Sequence, residues 1–171
     1  MKRFFSLILL PILLLAGCSA QPQSQLTAQE RTGLYRSAIQ GARDQDSNDA
    51  FPIITSAEDD IAPLLLDLIG LSAEDMSAFA ISASAMNIKA YGIAAVYPAE
   101  GRDEEVKDAL EGFVDRQRQS FEQYLADQYD IASNARLETL EDGTILLVMC
   151  EGQDQVFTAI RSAIDAGADL V

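Results

Sequence analysis

Over residues 103–129 the apolar positions Val106, Leu110, Phe113, Val114, Phe121, Tyr124 and Leu125, with Gln117 among them, recur at helical spacing. Glu104, Glu105, Lys107, Asp108, Glu111, Asp115, Arg118 and Glu122 fall largely on the other side. The spacing predicts one long amphipathic helix that runs into an aromatic-rich end and closes a core against a sheet. The flanking segments supply the strands. From Met76 the period changes to two, with Phe79, Ile81, Ala83 and Ala85 alternating with Ala78, Ala80, Ser82 and Ser84. A turn region, Met86-Asn87-Ile88-Lys89, leads to a second strand over 90–97 that Pro98 ends. The many small residues of this pair suit a helix packed closely on the sheet or a small-molecule groove, close packing being the commoner reason. Further on, segments 136–140 and 144–150 flank Asp142-Gly143, a dipeptide that tolerates the positive φ of a hairpin turn. The second arm has almost no polar residue, which marks a central strand covered on both faces.

The N-terminal part is more polar. Thr27-Ala28-Gln29-Glu30 matches a capping box and opens a helix over 28–42 with Leu34, Tyr35, Ala38, Ile39 and Ala42 on one face. Gly33 and Gly41 weaken it, so it is expected to be docked but peripheral. Residues 44–49 read as a solvated acidic loop. As a calcium loop they fail at the sixth place, where Asp49 stands for Gly, and at the twelfth, where Thr55 stands for Glu. Phe51-Pro52-Ile53-Ile54 is extended and apolar, an edge contact because Pro52 cannot donate to a ladder. Glu58, Asp59 and Asp60 precede a helix with Pro63 in its first turn, expected to bury Leu64, Leu65, Leu68 and Ile69 and to stop at Gly70. Residues 72–75 make a further cap or turn. A last helix over 154–166 presents Val156, Phe157, Ile160 and Ile164. The expectation is an α+β fold, an antiparallel sheet of about four strands covered by the long helix and the C-terminal helix and preceded by two helices.

The first 25 residues change where the domain is expected to work. Met1-Lys2-Arg3 is a positive start, residues 4–15 (FFSLILLPILLL) are apolar, and Leu15-Ala16-Gly17-Cys18 ends the run. The run is shorter than the roughly 20 residues needed to cross a bilayer, so it reads as an export leader. Leu15, Ala16, Gly17 and Cys18 resemble the lipobox of bacterial lipoproteins, which implies a diacylglyceryl group on Cys18 and cleavage before it. Small Ala16 and Gly17 admit the cleaving enzyme, and the thiol takes the lipid. Two or more acyl chains anchor stably where one holds only marginally. The organisation expected is a leader over 1–17, a lipid-anchored polar tether over 18–26, the peripheral helix and acidic loop over 27–50, and the α+β domain over 51–171. The membrane is thus the first partner, reached through the lipid on Cys18 at the extracytoplasmic face.

Charge and composition narrow the chemistry. The chain carries 27 Asp and Glu against 12 Lys and Arg, a net charge of −15, and losing Lys2 and Arg3 with the leader takes it to −17. Such a field repels phosphate backbones and anionic lipids, so nucleic acid is not an expected partner. The chain has no His, which removes His-based triads and His-containing zinc sites, and no cofactor or metal is called for. Cys150, among Ile145, Leu147 and Val148, reads as a buried reduced thiol.

Met86-Asn87-Ile88-Lys89-Ala90-Tyr91-Gly92-Ile93-Ala94, Glu105-Val106-Lys107, residues 121–129 (FEQYLADQY), Asn134-Ala135-Arg136 and the hairpin strand together resemble a family of bacterial extracytoplasmic lipoproteins, domain-of-unknown-function family 4358. The resemblance covers roughly 61–164. It implies the α+β fold and agrees with the lipobox, and the family brings no established activity or catalytic residues with it. Ala126 stands where many relatives carry Pro, which is expected to let the long helix continue. Tyr124, Asp127, Gln128 and Tyr129 form a candidate binding cluster, two phenols, a carboxylate and an amide suited to a sugar or a peptide. The competing and favoured reading has both tyrosines packed on the sheet and Asp127 and Gln128 bonded to local backbone. The function expected is a binding or interaction module of the cell envelope, meeting a protein, peptide or wall component. The alternative is an envelope hydrolase with paired carboxylates drawn from Asp75, Glu100, Asp127 and Glu151.

Overall fold

In the structure, a computed structural model that describes residues 26–168, four strands form one antiparallel sheet. They are β1 (Met76–Ala83), β2 (Gly92–Pro98), β3 (Arg136–Thr139) and β4 (Ile145–Met149), in the spatial order β1-β2-β4-β3. Six α-helices are present among the described residues: α1 (Ala28–Ala42), α2 (Gln45–Ala50), α3 (Ala62–Ile69), α4 (Asp103–Phe121), α5 (Ala126–Ser133) and α6 (Gln153–Ala168). The α+β class and the four strands match the sequence expectation.

The register explains why so few polar residues occur in β1, β2 and β4. Ile81, Ala94, Leu147 and Leu137 lie in one row across the sheet, and Ala80, Ala95, Leu146 and Glu138 in the next. Successive rows face opposite sides, and both sides are covered. On one face Phe79, Ile81, Ala94, Val96, Ile145 and Leu147 pack with α3, α4 and α5 through residues such as Leu65, Ile69, Leu110, Phe113 and Ala132. On the other, Ala78, Ala80, Ile93, Ala95, Leu146 and Val148 pack with Tyr35 and Ile39 of α1 and Phe157, Ile160 and Ile164 of α6. The long helix and the C-terminal helix therefore cover opposite faces. Helix α1, expected to be peripheral, fills the second core, with Tyr35 and Ile39 fully buried.

Two glycines set close approaches. Gly92 faces the ring of Phe113, and a Cβ there would lie 2.5 Å from Phe113 Cε1. Gly143, at φ 88°, ends a three-residue hairpin loop after Leu140. The Gly143 N–H bonds the Leu140 carbonyl, and the Leu140 N–H bonds the Thr144 carbonyl at 2.7 Å.

Other local readings are corrected. The stretch 103–129 is two helices: α4 ends at Phe121, a turn follows, and α5 starts at Ala126 and runs on to Ser133. The missing proline at 126 does not extend α4. Residues 45–50, read as loop, form the short helix α2, because the Asp44 carboxylate caps it by accepting from the Ser47 N–H at 2.7 Å. In α3 the buried residues are Ala62, Leu65, Leu66 and Ile69, while Leu64 is 57% exposed. Asp59 serves the turn before that helix, accepting from the N–H groups of Thr55 and Ser56. Ile54 bridges to Ile81, giving the expected edge contact on β1.

Chain direction gives the sheet two distinct ends. At the first end, the base, Arg31 near the start of α1 forms an ion pair with Asp142 of the hairpin and lies over the Tyr97 ring at 4.0 Å. There the hydroxyls of Tyr35 and Thr144 share a hydrogen bond of 2.5 Å, and Arg102 before α4 bonds Asp75. At the far end lie the β1–β2 loop, the α4–α5 turn and Arg43 just after α1. Arg43 bonds Ser82 Oγ at 2.8 Å and the Tyr91 hydroxyl at 2.7 Å. Helix α1 thus runs from base to far end.

Candidate interaction site

At the far end the structure brings together residues that are distant in sequence. The turn that breaks the long amphipathic stretch carries Tyr124, whose hydroxyl donates to the Asn87 carbonyl at 2.9 Å. Just inside α5, the buried Gln128 turns its amide to the same loop. Its Oε1 accepts from the Ala90 N–H at 2.9 Å, and its Nε2 donates to Asp127 Oδ2 at 2.8 Å. Ala90 is fully buried, so this side chain satisfies a main-chain donor outside the strand ladder that would otherwise be costly. The Gln128 bond, aided by Lys89, holds the Asp127 carboxyl below the usual carboxylate range against some desolvation.

What the loop then presents is apolar. Met86 is 58% exposed, Ile88 62% and Tyr124 58%. Isolated exposed hydrophobics need no explanation, but three large ones held on one corner by specific hydrogen bonds form a patch of the kind that marks interaction sites. Of the four residues of the candidate binding cluster, Tyr124 stands at this tip, Asp127 and Gln128 hold it, and Tyr129 packs half-buried against the first core. Packing on the sheet therefore describes Tyr129 and not Tyr124. Met86 and Ile88 were read from the sequence as part of a turn and of the family resemblance, not as part of a site. Two large apolar residues in a four-residue turn were the available signal.

A cavity of about 400 Å³ opens at the same end, lined by Arg43, Ser47, Phe51, Lys89, Tyr91 and Cys150 among others. Phe51 stacks on Tyr91 with ring centroids 3.9 Å apart. Arg43 is held by neutral acceptors, the Asn48 amide oxygen, the Phe51 carbonyl, Ser82 and Tyr91, and so ties α2 and the chain after it to the sheet. Burial pushes the Cys150 thiol up to about 11, which leaves it protonated and unreactive at neutral pH.

The carboxylates considered for hydrolysis divide between the two ends. Asp75 lies at the base beside Arg102, and Glu100 lies near it, since the Asp75 carbonyl accepts from the Ala99 N–H. Asp127 and Glu151 belong to the far end. Among the described residues the carboxyls of Glu30, Asp44, Asp75 and Asp127 are held below their ordinary range by hydrogen bonds. Residues 15–18, with the lipidation candidate Cys18, lie outside the described residues.

A four-stranded antiparallel sheet covered on both faces by helices defines a small α+β domain. The chain belongs to the family described as a domain of unknown function, DUF4358, whose model matches residues 58–150. Both segments that build the tip, 86–90 and 124–128, lie inside that match. No curated protein and no solved structure matches the chain.

Proposed function

We propose that this chain is a lipid-anchored binding module on the extracytoplasmic face of the cell envelope, held by acyl chains on Cys18 and working without catalysis. The observation that carries the binding reading is the exposed Met86, Ile88 and Tyr124 corner, fixed by Tyr124 and Gln128 to the main chain of the loop. Holding apolar groups in water is unfavourable, and the fold spends two specific hydrogen bonds on doing so. The anchoring reading rests on the positive start, the apolar run and Leu15-Ala16-Gly17-Cys18. Among the described residues no helix is long and apolar enough to cross a membrane.

The test has two arms. Expression of the full chain and of Cys18→Ser with a labelled fatty acid should give an acylated, membrane-bound wild type and an unlabelled, released variant. A wild type that is unlabelled and soluble overturns the anchor. Isolated envelopes should bind the soluble Cys18→Ser chain, and Ile88→Asp should abolish that binding with the melting curve unchanged. Equal binding by both forms overturns the role of the corner.

A further inference from the structure

We infer that the Met86, Ile88 and Tyr124 tip docks into an apolar cleft, rimmed by Lys and Arg, on a protein that approaches from the side away from the anchoring membrane. This deepens the proposed function and takes its sense of direction from the anchor on Cys18. Three observations carry it.

The first is direction. The tether over 18–26 leads into Thr27, whose capping box starts α1, and the first turns of α1 are fixed to the base by Arg31 on Asp142 and Tyr35 on Thr144. The tip is at the opposite end, past the last turn of α1 and the Arg43 contacts with Ser82 and Tyr91. A helix of 15 residues sets these ends about 22 Å apart. An anchor at the base leaves the tip at the end of the domain farther from the tether.

The second is charge. Glu122, Asp127 and Asp130 stand exposed on the turn and helix that carry Tyr124, and Glu151 lies in the adjoining cavity with Lys89 and the half-buried Arg43. An apolar centre with an acidic rim is complementary to an apolar cleft with a basic rim. The same collar argues against the other occupants. Anionic lipid head groups are repelled, and a second copy of the chain would bring two acidic collars together.

The third is rigidity. The tip is not a loose loop, because Gln128 and Tyr124 hold its main chain at Ala90 and Asn87. A preorganised apolar knob loses little freedom on docking.

The experiment places a photoreactive aromatic residue at Ile88 or Tyr124, and at Glu100 or Glu141 of the base as controls, in the full chain in its native envelope. Expected are adducts to a polypeptide other than this chain from positions 88 and 124 but not from 100 and 141, with the crosslinked peptide carrying Lys or Arg. The double change Glu122→Lys with Asp130→Lys should lower adduct yield on the order of tenfold, by loss of electrostatic steering. Among the described residues neither side chain makes a hydrogen bond, so an unchanged melting temperature checks that the variant is intact. Adducts to lipid, adducts to a second copy, equal yields from tip and base, yields indifferent to charge reversal, or no adduct at any position each overturn the inference. Acylation of Cys18 is scored in the same samples. A loss of the anchor with a tip adduct retained refutes the outward direction alone, and an anchored chain without tip adducts refutes the docking surface.

Discussion

Replacing Gly92 by Ala probes the closest approach between the long helix and the sheet. A Cβ at this position lies 2.5 Å from Cε1 and 3.1 Å from Cζ of Phe113, and 3.4 Å from Cε of Met149. Carbon atoms in good contact sit at about 3.5–4.0 Å, so the ring has to withdraw by about 1 Å. Phe113 is fully buried between α4 and the sheet, and Met149 is buried beside it, so the strain is shared by a packed region. Overpacking of this kind costs about 1–3 kcal/mol. Against it, the stiffer unfolded chain of the Ala variant offsets about 0.4–1 kcal/mol, because Gly92 does not use positive φ. Urea unfolding should therefore show a loss of about 1–2 kcal/mol, and the melting temperature should fall by roughly 2–4 °C for each of them. Phe113→Leu removes the colliding ring atoms. The double variant should be more stable than the sum of the single losses by about 1 kcal/mol, within the range for touching residues. A Gly92→Ala protein as stable as wild type, or strictly additive losses in the pair, would refute the packing described for α4.

Three further outcomes follow from the polar contacts. Gln128→Ala leaves the buried Ala90 N–H without its acceptor and should cost about 1–3 kcal/mol in urea unfolding, with faster hydrogen exchange at Ala90. Wild-type exchange there would show that the amide does not hold the loop. Arg102 and the Ser72 N–H keep the Asp75 carboxyl below its ordinary range. Because the folded pKa is the lower one, this support is complete above about pH 4 and is lost as pH falls through the folded value. Asp75→Asn should flatten the decline of stability as pH falls below about 4, and an unaltered slope refutes the assignment. The Cys150 thiol, pushed up to about 11 by burial, should resist a thiol reagent at neutral pH in the Cys18→Ser chain and react at once in urea. Its sign is opposite to that of Asp75: the contribution is present below about pH 8.5 and fades as pH rises through about 11.

Elements whose reason is local were readable from the chain. The capping box at Thr27 and Glu30 forms as expected, Gly70 ends α3 at φ 87°, and the period-two run from Met76 is β1 with both of its faces buried. Elements set by distant partners were not. Helical spacing continues through 122–125, yet the chain breaks there, where Tyr124 reaches the Asn87 carbonyl and Gln128 reaches Ala90 nearly forty residues away. Helix α1 looked peripheral because Gly33 and Gly41 weaken it, yet it is fixed to the hairpin through Arg31. That residue is buried against Asp142, more than a hundred positions along the chain, and pattern alone cannot pair the two. The candidate cluster at 124–129 was found because it is aromatic and recognisable. Its meaning, two residues holding a loop and one standing outside, needed the β1–β2 loop beside it.

The two-sided sheet also bears on what counts as one folding unit. The residues matched by the family model, 58–150, contain the sheet and the helices of its first face, while α1 and α6 lie outside the match. Without them Ala78, Ala80, Ile93, Ala95, Leu146 and Val148 would face water as a continuous apolar surface. The shared stretch is therefore not autonomous. Its second face is closed by the first and last helices, which themselves meet where Leu34 packs on Gly167. A chain lengthening from its N-terminus holds α1 in waiting until α6 has been made, so the domain closes as a clasp whose two halves are the farthest apart in sequence.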